Sequence, residues 1–189
     1  PIGEEQNRAR DLFYGVVVND LFMKKLIAGE SWYLFCPEVL RQNGIKPFQD
    51  IWGEEFEDEY QKAVDLGIGY EIQPSKIIEA LIKAQVESGN PYVFFKDNAN
   101  KGNMQDNIGT ITMSNLCSEV CSVSKPGYTS QCTLGSINLA EQESLESIGK
   151  TVRVLVKALN KVIDKNKWSD EWSEKAGIDQ RSIAIGVAG

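Results

Sequence analysis

The chain contains no histidine. Within these 189 residues, that excludes a Ser-His-Asp or Cys-His nucleophilic site and any His-ligated zinc or haem. Proton chemistry must come from Asp, Glu, Lys, Tyr or Cys. Long apolar runs are also missing: none reaches the roughly 18 to 20 residues that a membrane-spanning helix needs, so no membrane association is expected. The N-terminal stretch carries Glu4, Glu5, Arg8 and Arg10 and lacks the apolar centre of a secretory signal. Four cysteines are too few for a disulfide scaffold, so reduced thiols in the cytoplasm are the expectation. Basic residues are in deficit. With 20 Lys and Arg against 27 Asp and Glu, the net charge of -7 argues against nucleic-acid binding, which needs cations to neutralise phosphates.

What is present has ordinary globular composition and enough length for one domain, or one and a small second. The chain opens Pro1-Ile2-Gly3 and closes in the strand-like run Ser182–Gly189, so a piece of a longer protein is expected.

Hydrophobic spacing predicts a mixed α/β order. Leu12–Val18 reads as a strand. A helix capped by Asn19 or Asp20 carries Leu21, Phe22, Met23, Leu26 and Ile27 and stops near Gly29. Trp32–Cys36 reads as extended, and the acidic stretch Trp52–Val64 as a helix with a solvated face. From Ser75, the stripe Ile77, Ile78, Leu81, Ile82 and Val86 predicts a helix ending at Gly89. Tyr92–Phe95 reads as a buried strand and Asn98–Asn107 as a polar loop. Thr110–Ser114, Leu116–Val123 and Cys132–Leu139 read as extended, the last two separated by the turn Lys125-Pro126-Gly127. Leu145 to Ile163 is amphipathic at helical spacing, Trp168–Gln180 is irregular or partly helical, and Ile183–Val187 is a last strand.

Three cysteines, Cys117, Cys121 and Cys132, fall close together. Without a Cys-x-x-Cys pair or any His, no metal site is expected. Cys36 and Cys121 are expected to fill core positions, as free cysteines commonly do. Cys117 differs because of its neighbours. In an extended segment, residues two apart share a face. Asn115, Cys117 and Glu119 would then present an amide, a thiol and a carboxylate together, a plausible set for redox or nucleophilic sulfur chemistry with a general base.

The run Asn115-Leu116-Cys117-Ser118-Glu119 resembles the Asn-Leu-Cys-x-Glu signature of the large, catalytic subunit of ribonucleotide reductase. The resemblance extends through Glu4–Phe13, Asp20–Met23, Ile51–Phe56, Gly89–Tyr92, Lys96–Asn100, Gln105–Ile111, Cys132–Leu139 and Ile183–Gly189, in family order. Its texture is nearest the class I enzymes. Trp168–Asp179 departs from the family, and Ser182 stands where Pro is common.

The resemblance implies that residues 1–189 are part of a catalytic domain, the ten-stranded α/β barrel of that subunit. The radical cysteine would lie near a central finger loop. The activity domain, the first part of the barrel and its C-terminal part would lie outside, and the isolated chain would be inactive. Cys117 would carry a thiyl radical that abstracts the 3′ hydrogen of a ribonucleotide. Glu119 would take the 3′-hydroxyl proton, and Asn115 would hold the ribose. Cys132 would be one of two thiols that supply the reducing electrons. Ser114 and Leu134 would lie near the substrate, although Leu134 reads equally as core. Arg8 and Arg10 would belong to the allosteric specificity loop, or be surface arginines.

No cofactor would be bound by this segment. The radical would come from the di-iron/tyrosyl centre of a small subunit, the electrons from thioredoxin or glutaredoxin, and control from dNTP and ATP effectors. The large subunit would be a homodimer. Two other readings remain open: a cobalamin-dependent class II reductase, and an inactive regulatory paralogue.

Overall fold

Three valines after Gly15 suit a pleated backbone, and Gly15–Val18 forms β1. The computed structural model to which it belongs describes residues 12–189, which divide into one unit up to Cys121 and another from Ser122. In the first unit, helix α1 spans Asp20–Ala28 and ends at Gly29, whose φ of 68° is the left-handed C-terminal conformation that glycine adopts without strain. Strand β2 is Trp32–Leu34, helix α2 is Pro37–Gln42, helix α3 is Gly53–Asp65 and strand β3 is Tyr70–Ile72. Helix α4 (Pro74–Ser88), strand β4 (Tyr92–Phe95) and helix α5 (Lys96–Lys101) follow. β1 pairs with β4 in parallel, Gly15 opposite Tyr92, and β2 pairs with β3 antiparallel.

The core of this unit is aromatic. Ile51, Phe56 and Tyr60 pack with Trp32, Phe35 and Phe48. The Trp32 and Tyr60 rings stack at 4.4 Å, and the Tyr60 hydroxyl accepts the Tyr33 amide at 2.7 Å. Burial pushes the Tyr60 phenol up to about 12. A second cluster gathers Leu40, Ile45 and Ala63.

α3 shows where charge patterning misleads. Glu54, Glu55 and Asp58 are exposed as expected, but Glu59 is buried beside Tyr60. Its carboxylate accepts from Lys62 Nζ at 2.6 Å and from the Lys46 amide at 3.1 Å. Those two donors hold its carboxyl below the ordinary range. The acidic stretch is therefore not wholly a solvated face.

The second unit is built on strand β5 (Thr133–Asn138) and strand β6 (Ile183–Ala188), parallel, with Thr133 opposite Ile183. Parallel neighbours need a crossover, and it contains helices α6 (Leu145–Lys165) and α7 (Glu171–Gln180). Ser144 and Ser147 form a reciprocal capping box at the start of α6. The Asp170 carboxylate accepts the Trp172 and Ser173 amides at the start of α7. The Ser173 amide, then the Ser173 and Ser169 hydroxyls and lastly the Trp172 amide hold its carboxyl below the ordinary range. Gly177 lies under the Trp168 ring, where any Cβ would overlap the indole. The turn at Lys125–Tyr128 is present, with Gly127 at φ 76°.

The fold is mixed α/β, as the sequence suggests. The described strands form three two-stranded sheets and do not close into a barrel. Thr110–Ser114 and Leu116–Val123, read as strands, are not strands. Residues 96–101, partly assigned to a loop, are helical, and residues 171–180 are regular helix. Among the described residues, no helix is long and apolar enough to cross a membrane.

Candidate functional site

The site is built outward from α5, the short helix that follows β4. Lys96 and Asp97 are almost fully buried. Lys96 Nζ donates to the carbonyls of Phe48, at 3.0 Å, and Gln49, at 2.7 Å. Burial lowers its ammonium to about 8, against the attraction of Asp50 and Asp97. Asp97 Oδ2 accepts the amide of Asp20 at 2.5 Å, and its Oδ1 accepts the amide of Gly53 at 2.7 Å. Those amides open α1 and α3. The N-cap residues of these helices, Asn19 and Trp52, make no side-chain cap bond. One carboxylate thus caps two helices and lies at the positive ends of both dipoles.

Asn100, one turn further along, is also buried. Its Nδ2 donates to the carbonyls of Lys96 and Ile111, both at 2.9 Å, and its Oδ1 accepts the Ile111 amide at 2.8 Å. Asn103 Nδ2 donates to the Gly109 carbonyl at 3.0 Å. Side-chain amides therefore hold residues 109–111, where a neighbouring strand would otherwise do so.

Four residues beyond Ile111, the chain folds back on itself. The Ser118 amide donates to the Asn115 carbonyl at 3.1 Å, closing a turn over residues 115–118. The Asn115 amide donates to the Val120 carbonyl at 3.1 Å, and Asn115 Oδ1 accepts the Val120 amide at 3.0 Å. Ser118 takes φ 62°, a left-handed conformation uncommon for a residue other than glycine. Cys117 and Glu119 lie on this loop and are exposed.

The expected shared face of an extended segment is therefore corrected. Asn115, Cys117 and Glu119 lie on one tight loop and not on a strand face, because the Asn115 side chain and main chain both bond back to Val120. Among the described residues, Asn115 Nδ2 has no partner, so a donor stays available at the loop base.

Ser114 and Asn115 also line a cavity of about 180 Å³ with Phe13, Gly15, Tyr92 and Met113. The Met113 side chain crosses Gly15 where a Cβ would otherwise stand. Cys117 and Glu119 do not line the cavity.

Cys132 is exposed immediately before β5, and Leu134 is half exposed on that strand, so Leu134 is not core within its unit. Arg8 and Arg10 lie outside the described residues. Cys36 and Cys121, expected in the core, are both exposed. Cys36 stands at the N-cap of α2, while partial burial raises the Cys121 thiol. Among the described residues, no group of three or more Cys, Asp or Glu is placed to hold a metal ion. Sequence reasoning assigned no role to Lys96, Asp97 or Asn100. The available signal was their spacing of one helical turn beside a polar, turn-rich stretch.

Residues 1–189 match the family model described as ribonucleotide reductase, barrel domain. The chain is 34% identical to the ribonucleoside-diphosphate reductase large chain of Schizosaccharomyces pombe, covering 99% of this chain and 23% of that protein. It is 36% identical to large chain 2 of Saccharomyces cerevisiae, covering 99% and 22%. Against the large subunit of Danio rerio, identity is 36%, covering 99% and 24%. The chain thus spans about a quarter of the length of these relatives.

Proposed function

The chain belongs to the ribonucleotide reductase barrel-domain family, and from that premise we propose that it is part of the large subunit of a ribonucleoside-diphosphate reductase. The whole protein would convert ribonucleotides to deoxyribonucleotides within a ten-stranded α/β barrel. The observation that supports this reading is the loop 115–120, closed between Asn115 and Val120, on which Cys117 and Glu119 are both exposed.

The roles follow from the chemistry of the three groups. A thiyl radical at Cys117 takes the 3′ hydrogen of the ribose and becomes a thiol. This exchange is feasible because the S–H bond and the activated C–H bond are similar in strength. The Glu119 carboxylate takes the 3′-hydroxyl proton, which eases departure of the 2′-hydroxyl as water. Asn115 Nδ2 donates to the ribose, while its Oδ1 keeps the loop closed. Cys132 and a second thiol outside this chain supply two electrons and two protons and become a disulfide. One proton leaves with the 2′-hydroxyl as water, the other hydrogen ends at C2′, and Glu119 returns its proton to the 3′ oxygen. Cys117 finally returns the 3′ hydrogen and is again a radical. Such transfers demand close positioning, which a loop bonded at its base favours.

Ser114 and Leu134 complete the substrate side in this reading, and Arg8 and Arg10 the allosteric loop. The initiating radical comes from a small subunit with a di-iron/tyrosyl centre, and the electrons from thioredoxin or glutaredoxin. The large subunit is a cytoplasmic homodimer under nucleotide control.

The test is Cys117→Ser in the full-length protein, assayed with its small subunit. Turnover is expected to vanish while nucleotide binding persists. Deoxynucleotide formation by this variant refutes the reading. Activity that requires adenosylcobalamin in place of a small subunit moves the protein to class II.

A further inference from the structure

We propose that Asn100 is a positioning residue for the Cys117 loop, an inference that rests on the function proposed above. Residues 109–115 adopt no strand in this structure. A segment without ladder bonds needs other partners for its buried amides and carbonyls. At Ile111, which is 2% exposed, Asn100 supplies both. Its side chain presents a carbonyl to the Ile111 amide and an amide to the Ile111 carbonyl. An opposing strand residue makes the same reciprocal pair.

Asn100 is itself held firmly. It lies on α5, whose Lys96 is bonded to the carbonyls of Phe48 and Gln49 and whose Asp97 is bonded to the amides of Asp20 and Gly53. The side chain also donates back to the Lys96 carbonyl within the helix. From Ile111, four residues lead to Asn115, at most about 14 Å of extended chain. Asn115 then closes the loop against Val120. The path from a twice-bonded buried helix to the radical cysteine thus passes through one side-chain amide. Release of Ile111 gives the loop freedom of a kind that costs hydrogen-transfer chemistry far more than it costs binding.

The experiment uses the full-length protein with its small subunit. Asn100→Ala is compared with Lys101→Ala, which alters an exposed ion pair on the same helix without touching Ile111 or the buried bonds that hold α5. Local amide exchange is followed by mass spectrometry alongside steady-state kinetics. In Asn100→Ala, exchange at Ile111 and Val120 is expected to rise about tenfold or more, and kcat to fall about a hundredfold with KM within about twofold of wild type. In Lys101→Ala, exchange at Ile111 and Val120 is expected to stay at the wild-type level, with kcat within about twofold of wild type.

Unchanged exchange at Val120 in Asn100→Ala, or an equal loss of kcat in both variants, overturns the proposal. Should Asn100→Ala fail to fold, Asn100→Asp keeps the acceptor for the Ile111 amide and loses both donor bonds. It is read by the same two measurements. Cys117→Ser in parallel separates the two claims. If that variant turns over, the functional reading fails, whereas the exchange pattern tests the Asn100 anchor regardless.

Discussion

Asn115 and Val120 bond to each other twice, once between their main chains and once from the Val120 amide to the Asn115 side chain. Oδ1 of Asn115 is thereby committed to the loop, while Nδ2 remains a donor. One residue can therefore shape the loop and present a hydrogen bond to a substrate.

The two uses of Asn115 separate by substitution. Asn115→Asp keeps an acceptor for Val120 and loses the donor, so loop exchange should stay close to wild type while kcat/KM falls about a hundredfold. Asn115→Ala loses both, and Val120 should exchange about tenfold faster or more. Exchange mass spectrometry with steady-state assays of the full-length protein checks both outcomes. Equal exchange in the two variants would show that the side chain does not close the loop.

Ser118 sits at φ 62°. Ser118→Gly should be neutral or stabilising by up to about 1 kcal/mol, since glycine reaches this conformation without steric cost. Ser118→Val should destabilise by about 1–2 kcal/mol, because a branched Cβ clashes there. Denaturant unfolding monitored over this region is the measurement, and the sign of the Gly–Val difference is the result that matters.

Asp97 caps two helices at once. Asp97→Ala should cost about 2–4 kcal/mol, roughly twice an ordinary cap, because two buried amides lose their acceptor. Asp97→Asn should cost less, since one carbonyl oxygen remains to accept. If α1 and α3 keep wild-type exchange protection in Asp97→Ala, the double cap is not what holds them.

Lys96 sets a pH dependence. Burial lowers its folded value to about 8, while an unfolded lysine titrates near 10.4. Between those two values, the unfolded chain binds the extra proton. Stability contributed by this residue therefore rises with pH through that window and is lowest below about pH 8. The full change is bounded at about 3 kcal/mol. Lys96→Met should abolish this slope, although it also loses the two carbonyl bonds. Unfolding free energies at pH 7.5 and 9.5 for both proteins provide the check, and parallel slopes would contradict the assignment.

Much of the fold was legible before any coordinates. The stripe from Ile77 to Leu81 with Gly89 behind it became α4, and the long amphipathic run from Leu145 became α6. Both are long enough for several helical periods to accumulate. Val86 met the same pattern and is 83% exposed, since periodicity names a face but not what covers it. Short elements were less legible. β3 and α2 are only a few residues long, too short for either period to stand out.

The sequence by itself determined the long helices, the turn at Pro126-Gly127, the absence of histidine chemistry and the family, because each depends on local pattern or on residue identity in order. Only tertiary structure decided that residues 110–120 form a pinned segment and loop rather than strands. It also decided that Lys96, Asp97 and Glu59 are buried and that Cys36 and Cys121 are exposed. The physical reason is that a backbone amide takes whichever acceptor the fold brings near. Asp97 bonds to Asp20 across 77 positions and to Gly53 across 44, separations that no local window spans.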